Sequence, residues 1–469
     1  MRHTAHSLRQ LPPVLLLALA LALIAPPARA QRTPGTDSVR ISIDEALSRA
    51  GSLGEESKLA RSQLDFAATQ VASARSAALP ALDGSFSYLR TYASPYQVKS
   101  SGASADTANP ILKLFANLPF GRVNQYTANL TATQTLFSPK LGIAMRVANL
   151  YESATRYTLR EQLAETEYQV RGAYVRALLA GELESSAREA VAQAQRFLDQ
   201  ERQRLSAGLG SELDVLRAEV SLENLRPQLV DAQNAAAIST LDLKRLVNVP
   251  LVTPLVLTTR LVAPLAAVAA SSDPAIVAST RGAVQAEEEN VRIAHEVVKG
   301  AISAYLPSLD FRMSLGRLMY PQTVFGLNGT GWLTDWNAAV TLKVPIFNGM
   351  KRGADLSQAR IGLQQEEFRL AQLREAVQLQ FQQAVGERER AAASITARQR
   401  TVDQAQRVYD LTVLRYDQGL TSHLDVSDAR LSLLQARANL AQSIAQYYIA
   451  DASVQRALGS SSAALSRAR

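Results

Sequence analysis

The chain has 469 residues, a formal charge of +8 and no cysteine. The missing thiols exclude disulfides, thiolate metal sites and a lipid-bearing N-terminal cysteine. The arginines are scattered among Glu and Gln, and no basic stripe is interleaved with aromatics, which argues against nucleic-acid binding.

Residues 1–30 read as a cleaved secretory signal. Arg2 and Arg9 form its basic end, Val14 to Ala25 its apolar run, and Ala28-Arg29-Ala30 its cleavage site. That run is too short to span a bilayer as a helix. The remaining chain carries 47 basic and 42 acidic residues. It has no apolar run of about eighteen residues, so a membrane crossing here uses strands.

From Gln31 the elements follow in two matching series. A first unit is placed at 31–247. A short strand or turn at Ile41 feeds a short helix, and a second helix spans about Gly54 to Ala78, ending before Pro80. Ala81 to Arg90 alternates as a strand, with Leu82, Phe86 and Tyr88 opposed to Asp83, Ser85 and Ser87. A long loop, Ala93 to Gly121, holds an apolar patch at Ile111 to Phe120. A second alternating strand covers Val123 to Leu136. Ser138 and Pro139 then open, as N-cap and first helical residue, a helix to Ser206. At 1.5 Å per residue its roughly 68 residues reach about 100 Å. Gly208 turns the chain, and Ser211 starts a return helix to Val247 in which Pro227 predicts a kink.

A Pro/Val/Ala-rich linker, 248–272, leads to a second unit at 273–458 and a flexible tail at 459–469. Asp273-Pro274 is expected to cap one helix to about Ala304. Strands follow around Leu309 to Leu315 and Trp336 to Val344, separated by a glycine-rich loop, Gly326 to Gly331. Asn348 is expected to cap a second long helix, Gly349 to Asp417, before Gly419 turns the chain again. Gly208-Leu-Gly-Ser-Glu-Leu-Asp-Val matches Gly419-Leu-Thr-Ser-His-Leu-Asp-Val, and the landmarks Phe137/Phe347 and Gly208/Gly419 are offset by 210 and 211 residues. One unit has been duplicated. Heptads run through Leu356, Leu363, Leu370, Val377 and Ala384, and through Ile395, Val402, Tyr409 and Tyr416. Alanine-rich flanks suit a ring of helices, with a simple antiparallel hairpin coil as the alternative.

The four strands are each about ten to twelve residues, the length of a tilted membrane-spanning strand. Four cannot close a barrel, so several chains would share one; a half-buried soluble sheet alternates in the same way.

Gln134-Thr-Leu-Phe137-Ser, Val344-Pro-Ile-Phe347-Asn-Gly and the turn Tyr416 to Asp428 resemble the TolC-type outer-membrane efflux proteins of the non-lipidated branch, over essentially the whole mature chain. The resemblance implies a mainly α protein with a small β part. It implies a homotrimer whose twelve-stranded outer-membrane barrel, set in lipid, continues into a long periplasmic α-helical barrel. It further implies docking to a periplasmic adaptor protein and an inner-membrane pump of RND, ABC or MFS type. By position, Asp425 and Asp428 would line the lumen aperture, with Tyr416, Asp214 and Thr421 in its closing network. Thr421 stands where the family network has an arginine, and Pro139 where the first junction has a glycine. Gly208, Leu209, Ser211, Gly419, Leu420 and Ser422 would meet the adaptor.

Ser211-x-x-Asp214 and Ser422-x-x-Asp425 equally have the form of capping boxes. Asp428 has Arg217 as its repeat counterpart, so no shared cap accounts for it; three copies of an Asp425/Asp428 pair would form a negative ring. His295 and His423 are far apart and read as solvated, as do the runs Glu287–Glu289 and Glu387–Arg390. No catalytic or metal motif occurs, and no enzyme activity, metal or cofactor is expected. The functional readings are an export duct, for a drug or metal pump or for type I protein secretion, and a non-conducting periplasmic coiled-coil scaffold.

Overall fold

The computed structural model describes residues 38–92, 123–264, 274–321, 324 and 331–459. The signal segment, the apolar loop patch, Asp273, most of the glycine-rich loop and all of the tail except Gly459 lie outside them.

In chain order the elements are β1 (Val39–Ile41), α1 (Ile43–Leu53), α2 (Glu55–Ser76), β2 (Ala81–Arg90), β3 (Asn124–Phe137), α3 (Pro139–Ser206) and α4 (Glu212–Leu246). They continue as β4 (Leu255–Leu257), α5 (Pro274–Thr280), α6 (Gly282–Ser303), β5 (Ser308–Met319), β6 (Leu333–Lys343), α7 (Lys351–Asp417) and α8 (His423–Ala457). The chain is mainly helical, and the twofold repeat is plain in the matching order hairpin strand, long helix, turn, return helix.

Helices α3 and α7 run 68 and 67 residues. α4 continues unbroken through Pro227. Packing follows the alanines: α3 meets α4 through Ala194, Leu198, Ala218 and Leu222, and α7 meets α8 through Ala391, Ile395, Ile444 and Tyr447. The heptad positions Val377, Ala384 and Ile395 are buried, and the rest of the two series is half-buried. Phe381, Arg388 and Ala391 alternate with them at spacings of three and four, so the buried residues of α7 form one stripe. Nearer the sheet, α2, α3, α6 and α7 lie side by side in that order.

Four strands make one antiparallel sheet in the order β2-β3-β5-β6. Its register sorts residues by chemistry. Leu82, Ala132, Met313 and Ala338 form one cross-strand row, and Gly84, Leu130, Leu315 and Trp336 another. Asp83, Thr131, Ser314 and Asn337 form a row on the opposite face. A bulge between Thr135 and Phe137 shifts the register, and Phe137 pairs with Leu309 before α3 begins. The outer strands β2 and β6 are exposed along their whole length.

Several expectations need correction. The linker contains a strand, β4, which pairs in parallel with β1 and shares a core with Leu47, Val170, Tyr174, Leu243 and Val247. Tyr174 seals it: its buried hydroxyl bonds the Ile41 carbonyl (3.1 Å) and Thr259 Oγ1 (3.0 Å). The single helix expected before Ala304 is two, broken at Arg281. There the backbone is extended and the guanidinium bonds Glu161 at 2.9 Å and Gln380 at 3.1 Å. Ser138 sits at the N-cap of α3 without a side-chain cap bond. The N-cap of α7 is Met350 (φ 64°), while Asn348 Oδ1 accepts from the Arg352 amide at 3.4 Å. Glu289 is buried against Arg292 (2.8 Å) and Glu288 reaches Arg374 across the α6–α7 seam (2.7 Å), so that run is not simply solvated.

Candidate functional site at the helix turns

Both long helices end in the same way. Gly208 and Gly419 each adopt φ 74°, which only glycine takes without strain. The following amides, Leu209 and Leu420, donate back to Arg204 and Arg415 carbonyls at 2.8 and 2.9 Å. Gly208 and Gly419 themselves donate to Leu205 and Tyr416, which completes the Schellman pattern. The bonds leave Leu209 and Leu420 pointing outward, 75% and 63% exposed.

Beyond the glycines the turns diverge. Ser422 and Asp425 make a full capping box: Ser422 Oγ accepts from the Asp425 amide (3.4 Å), and Asp425 Oδ2 accepts from the Ser422 amide (2.9 Å). Asp425 Oδ2 also takes the Thr421 and Ser422 hydroxyls at 2.6 and 2.8 Å. The Thr421 hydroxyl first, then the Ser422 donors, hold the Asp425 carboxyl down at about 2. In the first turn no box forms. Ser211 Oγ accepts from Leu213 instead (3.2 Å), and Asp214 faces Arg217 at 4.0 Å. Asp428 is exposed and makes no hydrogen bond or ion pair among the described residues.

Tyr416 joins the two repeats. Its hydroxyl donates to Glu201 Oε1 at 2.8 Å and accepts from Arg204 Nη1 at 2.8 Å, and the Arg204 guanidinium stacks 5.5 Å above the ring. Phe197 packs against the same ring. Burial, then the bond to Glu201, push the Tyr416 phenol up to about 12. Asp214 adds only a weak repulsion to that shift, and Thr421 is occupied with Asp425. Tyr416 therefore pairs with Glu201 and Arg204, two residues that sequence reasoning did not single out. A signal existed: the repeat offset places Leu205 opposite Tyr416, so a hydroxyl appears in one copy alone.

Elsewhere, no group of His, Asp and Glu among the described residues could hold a metal ion. His295 is exposed, and the side chain of His423 lies outside the described residues. No described helix is long and apolar enough to cross a membrane.

A family model described as outer membrane efflux protein matches residues 43–249 and 277–460. The chain is 26% identical over 262 residues to the solvent efflux pump outer membrane protein SrpC of Pseudomonas putida, covering 54% of this chain and 53% of that protein. To protein CyaE of Bordetella pertussis it is 29% identical over 301 residues, covering 62% and 60%. It thus spans only about half to three fifths of the length of these curated relatives. Its fold is similar to that of the CmeC outer membrane channel of Campylobacter jejuni, with a TM-score of 0.71 at 18% identity over 89% of this chain and 85% of that one.

Proposed function

The chain belongs to the outer membrane efflux protein family, and we propose that it is the outer-membrane duct subunit of a tripartite efflux or type I export system. It would pass cargo from an inner-membrane pump through the periplasm to the exterior. One observation carries this: the four-stranded sheet leaves both edges, β2 and β6, unpaired, while Leu82, Phe86, Trp336, Val340 and Leu342 expose an apolar face. Hydrocarbon tolerates no unpaired strand edge. Four strands are too few to close, and three copies supply twelve. Three copies of the α2-α3-α6-α7 layer likewise supply twelve helices beneath that barrel.

At the far end of the shaft the exposed Leu209 and Leu420, held by the glycine turns beside Ser211 and Ser422, form the docking surface for a periplasmic adaptor. The neighbouring Asp428, with Asp425, faces the lumen aperture, and the Tyr416 network holds the long helices together there. Similarity to a protein named for solvent efflux supports small-molecule cargo.

Planar-bilayer recording tests the duct. Discrete conductance from the reconstituted protein, with a trimeric mass in detergent, is expected. A non-conducting product would instead support a periplasmic coiled-coil scaffold.

A further inference from the structure

Arg430 lies on α8 about two turns beyond the second capping box, and it is half-buried. Every other buried or half-buried arginine among the described residues has a hydrogen-bond or ion-pair partner. Arg171, Arg281, Arg388 and Arg456 meet carboxylates, whereas Arg160 and Arg352 meet carbonyl oxygens. Arg430 has none. Its own helix places Val426, Ser427, Leu433 and Leu434 within reach, so no acid on α8 can neutralise it.

The side chain instead lines a cavity of about 360 Å³ where the two helix pairs meet. Gln193 and Arg196 of α3, Ser221 of α4, Tyr409 of α7 and Ser427 of α8 share that cavity. Arg196 is also without a partner among the described residues. The one acid on the lining, Asp417, pairs with neither arginine. Burial lowers the Arg430 pKa from the usual arginine range, the Tyr409 phenol opposing it only in part. A cation desolvated without a counter-charge is unfavourable, and a guanidinium fork matched to two oxygens is its strongest relief.

We propose that this cavity is a binding site for a compact oxyanion, a phosphate or carboxylate group, held chiefly by Arg430 with Arg196, Ser221 and Ser427 beside it. An anion seated there bridges the α3–α4 pair to the α7–α8 pair just behind the turns, and so clamps the end of the shaft. Two sources supply this chemistry: a free ion, or the carboxylate of Asp428 from a second copy of the chain. The second source rests on the trimeric assembly proposed above.

Calorimetric titration of the full chain in detergent with inorganic phosphate, at fixed ionic strength, tests the site. Saturable binding is expected, weakened about ten-fold or more by Arg430→Gln and less by Arg430→Lys, which keeps the charge and loses the fork. Arg196→Gln, at an exposed position, should weaken it several-fold and keeps the test available if Arg430→Gln fails to fold. If phosphate does not bind, but Arg430→Gln and Asp428→Asn each lower the thermal midpoint of the oligomer and the double variant lowers it no further, the anion comes from the second copy. Absence of both phosphate binding and that coupling overturns the proposal. Conductance is measured separately, so failure of the anion site leaves the duct untouched.

Discussion

The hydroxyl of Tyr416 donates to the carboxylate of Glu201 at 2.8 Å, although 215 positions separate them in the chain. Glu201 is only 3% exposed, and its carboxylate meets this donor and Arg204 at 3.6 Å. The bond ties the ends of the two long helices where a duct would narrow. Tyr416→Phe deletes a hydrogen bond to a charged group, an effect of about 1.5–3 kcal/mol. The expected result is a larger mean conductance, or more frequent opening, in bilayer recordings at neutral pH. Glu201→Gln should act in the same direction.

The same pair responds to alkali. The folded-state phenol is raised above its ordinary value of 10 to about 12, so the native state holds the proton more tightly than the unfolded chain does. The contribution is therefore complete below pH 10 and is lost as pH rises through 12. Opening should increase over that window in wild type and be flat in Tyr416→Phe.

Much of this architecture is legible without coordinates because it follows from local periodicity. Long proline-free helices, strand alternation from Leu82 to Tyr88 and a repeat offset of 210 or 211 residues all leave marks within a short window. What escapes is decided at long range. The three-residue strand β4 earns its place only by pairing with β1, more than two hundred residues earlier. The helix break at Arg281 is stabilised by Glu161 and Gln380 on two other helices, with nothing beside it in sequence to announce it. Tyr416 stood out by position, but its partners on α3 were hidden for the same reason. At the turns, both Ser-x-x-Asp motifs look alike on paper. Only Ser422 closes its box, since Asp425 is also steadied by Thr421 where the first turn has Gly210.

Asp425 and Asp428 should separate on mutation. Asp425 closes the capping box of α8 from its third position, and its depressed pKa means that the box is intact above the ordinary value of 3.8 and is lost as pH falls through about 2. Ser422→Ala should cost about 1 kcal/mol locally and speed hydrogen exchange in the first turn of α8 about five-fold. Asp428→Asn should leave that exchange unchanged and reduce cation selectivity, read as a shift in reversal potential across a salt gradient. Equal effects of Asp425→Asn and Asp428→Asn on selectivity, with exchange unaltered in both, would reject this division.

Adjacent residues on β6 test which face of the sheet meets lipid. Ala338 shares its row with Leu82, Ala132 and Met313, and Asn337 shares the opposite row with Asp83, Thr131 and Ser314. An arginine on the lipid face near the bilayer centre costs about 2–4 kcal/mol, three-fold repeated in a trimer, whereas the lumen face solvates it. Ala338→Arg should therefore abolish heat-modifiable oligomer in outer-membrane fractions, and Asn337→Arg should assemble normally while altering conductance. If both variants assemble equally well, the apolar rows do not face hydrocarbon.

The core around Tyr174 predicts a stability effect with no counterpart in conduction. Its side chain is fully buried, and its hydroxyl ties β1, the segment after β4 and α3 together through Ile41 and Thr259. Tyr174→Phe preserves the ring and removes the hydroxyl from the Ile41 carbonyl, which keeps the Thr258 amide at 3.2 Å, and from the exposed Thr259, a loss of about 0.5–1.5 kcal/mol. Thr259→Val removes one partner while leaving the Tyr174–Ile41 bond in place, so its cost should be smaller. In the double variant the two losses should fall short of additive, because they share one hydroxyl. Urea midpoints of the detergent-solubilised protein measure this directly, and full additivity would mean that Tyr174 and Thr259 act independently.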